Sequence, residues 1–140
     1  MPVGYSGTPL PKKLGFRDTT RLVVLGEPEE YPVLVGPLPA GMERQRSVTK
    51  TTNLVHVFVV RRQELVHQLG ALRKTLSPDA AVWVSWPKKS SRVPTDVTED
   101  TLREVALPLG FVDIKVCAVS EVWSGLKLVV RKELRAQASA

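Results

Sequence analysis

Three short apolar runs along the chain predict buried β-strands. These runs are Arg21–Gly26, Leu54–Val60 and Ala80–Trp86. Apolar stretches of this length, bounded by glycine, proline or polar residues, are typical of strands covered on both faces, and such strands belong to parallel sheets. A fourth segment, Met42–Val48, is polar. We interpret it as an edge strand, because polar side chains discourage pairing with other sheets.

Two segments between these runs have the spacing of amphipathic helices. Gln63–Leu76 carries one apolar stripe with the spacing i, i+4, i+7 and i+11: Leu65, Leu69, Leu72 and Leu76. A second helix is predicted to begin after Thr98, a suitable N-cap, and to end at Pro108 and Gly110. Between residues 27 and 39, four prolines limit any helix to one or two turns.

Residues 1–20 are predicted to form an arm that packs on the domain. They are rich in Gly, Pro, Ser and Thr. Pro9 and Pro11 are expected to block a helix across Thr8–Lys12. Lys12–Phe16 is expected to form one helical turn that is stopped by Gly15.

The C-terminal part of the chain predicts a β-hairpin. Val112–Val119 and Leu126–Lys132 are rich in β-forming residues, and Ser120–Gly125 between them is too short for a helix. The alternation of strands and helices before this hairpin predicts a parallel sheet with right-handed crossovers. The sequence therefore indicates one α/β domain over residues 21–135, followed by a frayed tail over residues 136–140.

Composition narrows the classes of function without selecting one. The 140 residues include 20 Lys+Arg and 14 Asp+Glu, and the formal net charge of +6 allows anionic partners without requiring them. The one cysteine, Cys117, excludes an intrachain disulfide and favours a reducing compartment. The longest apolar run, Leu54–Val60, is far shorter than the roughly 20 residues that span a bilayer. With no signal-peptide pattern, we expect a cytoplasmic protein with no membrane partner.

From Leu54 onward the layout resembles the C-terminal half of a Rossmann-like methyltransferase. The parallels are an apolar strand, a helix ending in a Leu-Ser-Pro-Asp turn, a strand, a helix and a closing hairpin. The resemblance implies a compact, truncated Rossmann-like three-layer α/β domain, with a mostly parallel sheet closed by the C-terminal antiparallel hairpin. Such methyltransferases carry a glycine-rich loop after the first strand. Here the first strand is followed by Gly26-Glu27-Pro28-Glu29, which has a single glycine, so no cofactor is expected.

Several ungapped strings also resemble a bacterial family of small cytoplasmic proteins of unknown function. These strings cover nearly the whole chain: Ser6–Leu10 with Lys12–Gly15, Trp86–Lys89, Thr95–Asp100, Lys115–Val119 and Trp123–Leu126. The resemblance implies a bacterial cytoplasmic protein. It brings no known activity, and therefore no catalytic residues.

Basic residues follow two adjacent predicted strands. Open α/β sheets bind ligands beyond the carboxyl ends of their parallel strands, and positive charges with hydroxyl donors there suit a phosphate or another polyanion. The predicted ligand-binding residues are those that follow the second and third runs, with two tryptophans as flanking surfaces: Arg61, Lys88, Lys89, Ser90, Arg92, Trp86 and Trp123. The competing interpretation is that these bases form surface pairs with nearby acids: Glu27, Glu29, Glu30 and Asp96.

The other residues with reactive side chains are expected to have structural roles. His56 lies inside the clearest strand and is interpreted as a hydrogen-bonded core residue, with a titrating functional group as the alternative. Cys117, expected to share a strand face with Asp113 and Lys115, is interpreted as a buried, inert thiol. No His or Cys lies at metal-ligand spacing from another, so no metal site is predicted.

The predicted function is non-enzymatic binding of an anionic ligand or a protein partner at the carboxyl edge of the sheet. Two alternatives stay open: a methyltransferase-like enzyme with a reduced cofactor loop, and a nucleic-acid-binding module. Nucleic acid is disfavoured because the bases lie on predicted loops, with no recognition helix. A second basic group, formed by Lys12, Lys13 and Arg17, either joins the site as a lid or forms a solvated turn. The oligomeric state is open.

Overall fold

A six-stranded sheet organises residues 8–139, the part of the chain that the computed structural model describes. The strands are β1 (Arg21–Leu25), β2 (Glu43–Arg44), β3 (Leu54–Phe58), β4 (Ala81–Pro87), β5 (Phe111–Ala118) and β6 (Trp123–Val130). The helices are α1 (Leu10–Leu14), α2 (Tyr31–Val35), α3 (Arg62–Thr75), α4 (Glu99–Leu109) and α5 (Lys132–Ser139), with a single 3₁₀ turn at Lys89–Ser91.

The strand order is β2-β1-β3-β4-β6-β5. Strands β2, β1, β3 and β4 are mutually parallel, whereas β6 is antiparallel to both β4 and β5. From β1 the chain moves outward to β2 and then returns to β3 on the other side of β1, so the connections reverse direction between β1 and β3. The predicted fold class is confirmed: a mostly parallel Rossmann-like sheet closed by a C-terminal hairpin.

Strand β3 lies at the centre of the core, and all five of its residues are buried. Val55 and Val57 face a cluster that includes the apolar stripe of α3 and the inner face of α4. His56 and Phe58 face the opposite cluster, to which α1 and α2 contribute. The apolar run of β3 is therefore continuous because helices cover both faces of the sheet.

Helix α1 begins two residues earlier than the sequence predicts. It starts at Leu10 and includes Pro11, which occupies the first turn, where a proline removes no hydrogen bond within the helix. The predicted block across Thr8–Lys12 is therefore wrong. Gly15 ends the helix in the left-handed conformation, with φ of 81°, as expected.

The edge strand is shorter than the predicted Met42–Val48. Only Glu43 and Arg44 pair with β1. The chain then turns away, and the Gln45 side chain is hydrogen-bonded to the hydroxyls of Thr51 and Thr52 at 3.0 and 2.6 Å. These side-chain bonds tie Gln45 to the turn that precedes β3, while its backbone amide still donates to the Leu22 carbonyl of β1 at 2.7 Å.

The C-terminal elements differ from the expected boundaries by one or two residues at most ends, and by more at the start of β6 and in the tail. Strand β6 begins at Trp123 rather than Leu126, because the Trp123 carbonyl accepts hydrogen bonds from the amides of Val119 and Ser120 in a tight turn. Trp123 therefore lies in the strand and not in the loop. The predicted frayed tail at residues 136–140 is helical as far as Ser139, because α5 continues through a segment rich in helix-forming residues.

Replacing Gly26 by alanine is expected to destabilise the protein. Gly26 follows β1 with φ of 69°, and a Cβ atom there would overlap the carbonyl oxygen of Phe58 at the end of β3. We expect the free energy of unfolding, measured by urea denaturation, to fall by about 2 kcal/mol or more.

The matched control is Gly70→Ala in α3, where a Cβ atom meets nothing within 4 Å. Alanine is favoured over glycine inside a helix by about 0.5–1 kcal/mol, so this variant is expected to gain stability. Equal losses in both variants would contradict the close packing of Gly26 against β3.

Candidate functional site

The carboxyl ends of β3 and β4 lie at the same edge of the sheet. The two strands are parallel neighbours, and their pairing extends to Phe58 opposite Ser85. Arg61, which follows β3, and Lys88, which follows β4, therefore leave the sheet at a common edge. This placement agrees with the strand directions that the sequence predicts.

A cavity of about 580 Å³ opens between the end of β4 and the start of α4. Its wall on the β4 side is formed by Trp86, Pro87, Lys88 and Lys89, with Ser124 from the neighbouring strand β6. Its other wall is the residues that begin α4: Thr95, Val97, Thr98, Glu99 and Asp100. The cavity combines an apolar wall with charged groups of both signs, as small-molecule sites commonly do.

Both acids that line the cavity, Glu99 and Asp100, form ion pairs with Arg103, which is not part of the lining. The Arg103 guanidinium lies 2.7 Å from Glu99 and 3.7 Å from Asp100, and its Nε donates to Asp113 at 3.2 Å. The hydrogen bond with Glu99, followed by that with Asp113, raises the Arg103 pKa. Arg103 thus offsets part of the negative charge that these two acids bring to the cavity wall.

Lys88 and Lys89 form no ion pair with any acid within residues 8–139. Of the four acids expected to pair with the basic edge, Glu27 and Asp96 have other partners. Glu27 pairs with Arg44, and the Asp96 carboxylate accepts a hydrogen bond from the Arg62 backbone amide at 2.6 Å. The cavity therefore carries two ammonium groups that form no direct ion pair in the described part of the chain, on the wall opposite Glu99 and Asp100.

Three of the predicted site residues lie at this edge but do not line the cavity. Arg61 is exposed at the start of α3. Ser90 is exposed in the 3₁₀ turn, and Arg92 ends that turn in the left-handed conformation with φ of 61°. The turn directs the chain away from the cavity immediately after Lys89, and the composition of the loop did not reveal this.

The tryptophans are less accessible than the sequence suggests. Trp86 is only 6% exposed and belongs to the core, although it borders the cavity. Trp123 is half-buried and packs edge-on against Phe58, with 5.0 Å between ring centroids. Its indole Nε1 is buried and has no hydrogen-bond partner in the described part of the chain. Burial leaves little of the Trp86 ring for stacking, so its role as a flanking surface stays a prediction that depends on the edge that borders the cavity.

The surroundings of Cys117 agree with an inert thiol. Burial raises the thiol pKa, although the positive charges of Lys13, Lys115 and Lys88 oppose this effect. A β-bulge between Asp113 and Lys115 shifts the strand register, so Asp113 does not share the face of Lys115 and Cys117 as expected.

Lys13 reaches from α1 to the end of β5. Its Nζ atom donates to the Ala118 carbonyl at 3.5 Å. It therefore lies near the carboxyl end of β5, on the same side of the sheet as Cys117. Of the second basic group, Lys13 approaches the hairpin, whereas Lys12 is exposed.

His56 is the centre of a buried hydrogen-bond chain. Its Nδ1 lies 3.0 Å from the Tyr31 hydroxyl and its Nε2 lies 2.8 Å from the Ser85 hydroxyl. The ring also stacks on Phe58 at 4.3 Å between centroids. Burial lowers the His56 pKa to about 3, so the ring is neutral at physiological pH. Its partners are 25 and 29 residues away in sequence, and no local pattern indicated them.

Among residues 8–139, no three His, Cys, Asp or Glu side chains lie close enough together to bind a metal ion. No helix within this part of the chain is long and apolar enough to cross a membrane.

Similarity to known proteins is found at the level of structure. No protein-family model and no curated protein matches the chain, so the resemblance to a bacterial family of unknown function stays a prediction. A SAM-dependent methyltransferase from Aquifex aeolicus superimposes with a TM-score of 0.62 at 13% identity, over 86% of this chain and 87% of that one. Fibrillarin from Aeropyrum pernix, solved with natively bound S-adenosyl-L-methionine, gives 0.55 at 10% identity, over 89% of this chain and 70% of that one.

A third similar structure, LepI in complex with SAM, gives a TM-score of 0.54 at 12% identity over 89% of this chain. The chain spans only about half of LepI, 47% of its length. At these identities the likeness establishes a fold of the Rossmann-like methyltransferase type.

The crevice between β1 and β3 is where an open sheet of this order generally holds a nucleotide. The residues present there do not fit a SAM-type cofactor. The Gly26 backbone packs directly against the Phe58 carbonyl, and the Glu27 carboxylate is occupied by Arg44. The Tyr31 side chain, which begins α2, is turned into the core toward His56. The close approach of the two strands and the pairing of Glu27 thus oppose a nucleoside between β1 and β3.

The buried His56 predicts a loss of stability in acid. Its pKa is about 3 in the folded protein and about 6.5 in the unfolded chain, so below pH 6.5 the unfolded state binds the extra proton. The free energy of unfolding should fall by up to about 1.4 kcal/mol per pH unit between pH 6 and pH 3 through this group.

Urea denaturation of His56→Gln across this range checks the assignment, because glutamine keeps a hydrogen-bonding side chain without a titrating group. His67→Gln, at an exposed position on α3, is the control and should keep the full acid dependence. An imidazole signal of His56 that titrates between pH 6 and pH 7 in an NMR experiment on the folded protein would contradict the prediction.

Proposed function

We propose that this chain is a methyltransferase-like Rossmann domain that binds a small anionic ligand in the cavity between β4 and α4. The observation that carries the proposal is the pair of ammonium groups, Lys88 and Lys89, that border the cavity without acidic partners in the described chain. An anion on the β4 side of the cavity would pair directly with these two ammonium groups, which form no ion pair in the described chain.

The other walls of the cavity suit the same ligand class. The Ser124 hydroxyl lines the cavity beside Trp86 and Pro87, so a ligand with a polar head and an apolar body has a partner for each part. The amino end of α4 faces the cavity and adds a favourable potential for negative charge. A phosphate or a carboxylate would meet these conditions.

A second candidate function is that of a methyltransferase with a reduced cofactor loop. The structural comparisons support this candidate more than the non-enzymatic interpretation that the sequence suggests, because several similar structures are SAM-dependent methyltransferases or hold SAM. The contact of Gly26 with the Phe58 carbonyl and the Glu27–Arg44 ion pair, both after β1, oppose this candidate.

The remaining alternative is a protein partner that binds at the same edge of the sheet. Native mass spectrometry of protein purified from its own cells would reveal a retained ligand or partner.

Replacing both cavity lysines by alanine is expected to remove anion binding and leave the fold intact. Isothermal titration with inorganic phosphate should show at least about a tenfold loss of affinity in Lys88→Ala/Lys89→Ala, because two charged partners are lost. Lys89 is exposed, Lys88 is half-buried, and neither side chain forms a hydrogen bond or ion pair in the described chain. The free energy of unfolding should therefore change by no more than about 0.5 kcal/mol.

The matched control is Lys50→Ala/Lys74→Ala, which removes two exposed lysines elsewhere. It should bind phosphate like the unmodified protein. A large loss of stability in the cavity variant, with phosphate affinity unchanged, would show that Lys88 and Lys89 are structural and would contradict the proposal.

Titration with S-adenosylmethionine separates the two candidates. If the crevice after β1 is closed as described, neither the melting temperature nor tryptophan fluorescence should change in a saturable way. A saturable rise in melting temperature, which signals binding to the native state, would favour the methyltransferase candidate. Adenosine and methionine, added separately, are the controls for the two halves of S-adenosylmethionine.

A further inference from the structure

Two lysines stand directly opposite each other on the C-terminal hairpin. Lys115 of β5 and Lys127 of β6 are cross-strand partners in the antiparallel pair. Side chains at such positions have Cβ atoms about 5 Å apart, and like charges there destabilise a sheet. A pairing of this kind needs a compensating partner.

A third cation comes close to this pair from the segment after α1. Burial lowers the pKa of Lys127, and the charges of Lys115 and Arg17 lower it further, so all three groups share one electrostatic environment. Lys127 is half-buried because its ammonium lies against Gly15, where a Cβ atom would be 3.8 Å away from Nζ. We call Arg17, Lys115 and Lys127 the hairpin cation cluster.

The hairpin cation cluster has no acidic partner within residues 8–139. None of its three side chains forms an ion pair there, and the Lys127 ammonium donates no hydrogen bond to a described residue. Asp113, the acid nearest in sequence to Lys115, is held by Arg103 on the other face of the sheet, because the β-bulge reverses its direction. The repulsion is therefore not relieved by the described part of the protein.

The cluster lies on a different face of the sheet from the cavity. Lys127 is opposite Trp83, whose face is covered by α1, whereas Ser124 of the cavity is opposite Trp86, on the face covered by α4. The charge of Lys88 nevertheless reaches Cys117, as that of Lys115 does. Each ligand is therefore titrated against the variants of both sites, and the residues on which binding depends assign it to one of them.

We propose that the hairpin cation cluster is a second binding site, specific for a ligand with two or more linked phosphoryl groups. Neighbouring phosphoryl groups match the close spacing of the lysine pair, and Arg17 can form a bidentate contact with a terminal group. A single-stranded nucleic acid is less favoured, because such surfaces need accessible aromatic rings for base stacking. The nearest tryptophan, Trp83, is 1% exposed.

The test is isothermal titration of the full chain with inorganic tripolyphosphate, with ATP and inorganic phosphate as further ligands. We expect saturable binding of tripolyphosphate, at least about tenfold tighter than that of phosphate, and a loss of about tenfold in Lys115→Gln and in Lys127→Gln. ATP that binds like tripolyphosphate would identify the triphosphate as the recognised group, whichever molecule carries it.

Stability measurements give an independent readout. Without ligand, Lys115→Gln should melt at a higher temperature than the unmodified protein, because the like-charge pair is removed. Tripolyphosphate should raise the melting temperature of the unmodified protein and not that of Lys115→Gln. The matched control is Lys50→Gln, which makes the same change in net charge at an exposed position. Its melting temperature without ligand, and the rise that tripolyphosphate causes, should equal those of the unmodified protein.

Three results would overturn the proposal. One is equal loss of tripolyphosphate binding in Lys50→Gln and Lys115→Gln, which would mean unspecific attraction by net charge. Another is loss of that binding in Lys88→Ala/Lys89→Ala but not in the hairpin variants, which would assign the ligand to the cavity. The third is a single-stranded oligonucleotide that binds more tightly than tripolyphosphate with the same dependence on Lys115 and Lys127.

Discussion

Burial of β3 on both faces is the constraint on which the rest of the structure depends. A strand with no solvent-facing side must be covered by helices from two sides, and it must pair along both edges to satisfy its backbone groups. The chain meets these conditions with β1 and β4 as parallel neighbours. Parallel pairing then brings the loops after all three strands to one edge, which is how basic residues far apart in sequence come to share it.

The one polar side chain inside β3 shows how strict this constraint is. His56 is buried as a neutral ring, and it has a hydrogen-bond partner for each nitrogen. An unsatisfied buried ring nitrogen would cost on the order of 1–3 kcal/mol, so Tyr31 and Ser85 are required by the burial of the histidine. The same contact draws Tyr31 inward at the start of α2, and this leaves the crevice beside β1 poorly suited to a nucleoside.

Ion pairs between arginines and carboxylates determine which charged side chains of the protein are left without a partner. Arg103 gathers Glu99, Asp100 and Asp113, while Arg44 takes Glu27. The guanidinium group favours such multiple contacts, because its planar donors match carboxylates. Lysines at the cavity and on the hairpin consequently form no ion pair in the described chain.

The sequence by itself determined the class of fold and the elements that build it. The apolar runs, the stripe of α3 and the N-cap at Thr98 depend on neighbours within a few residues, and those interactions can be inferred from spacing alone. It also indicated that Arg61 and Lys88 share an edge, because adjacent parallel strands leave no other arrangement. The position of Pro11 inside α1 and the start of β6 at Trp123 were missed, because a helix's first turn and a tight turn between strands accept residues that general propensities disfavour.

Only the tertiary structure decided which side chains meet. The 3₁₀ turn at Lys89–Ser91 takes Ser90 and Arg92 away from the cavity, and the bulge before Lys115 sends Asp113 to the opposite face of the sheet. The pairing of Lys115 with Lys127 depends on strand register, which is set by packing and turn geometry rather than by composition. Contacts between residues far apart in the chain arise from the packing of the whole domain, and so the cavity and the hairpin cation cluster became visible only once the chain was folded.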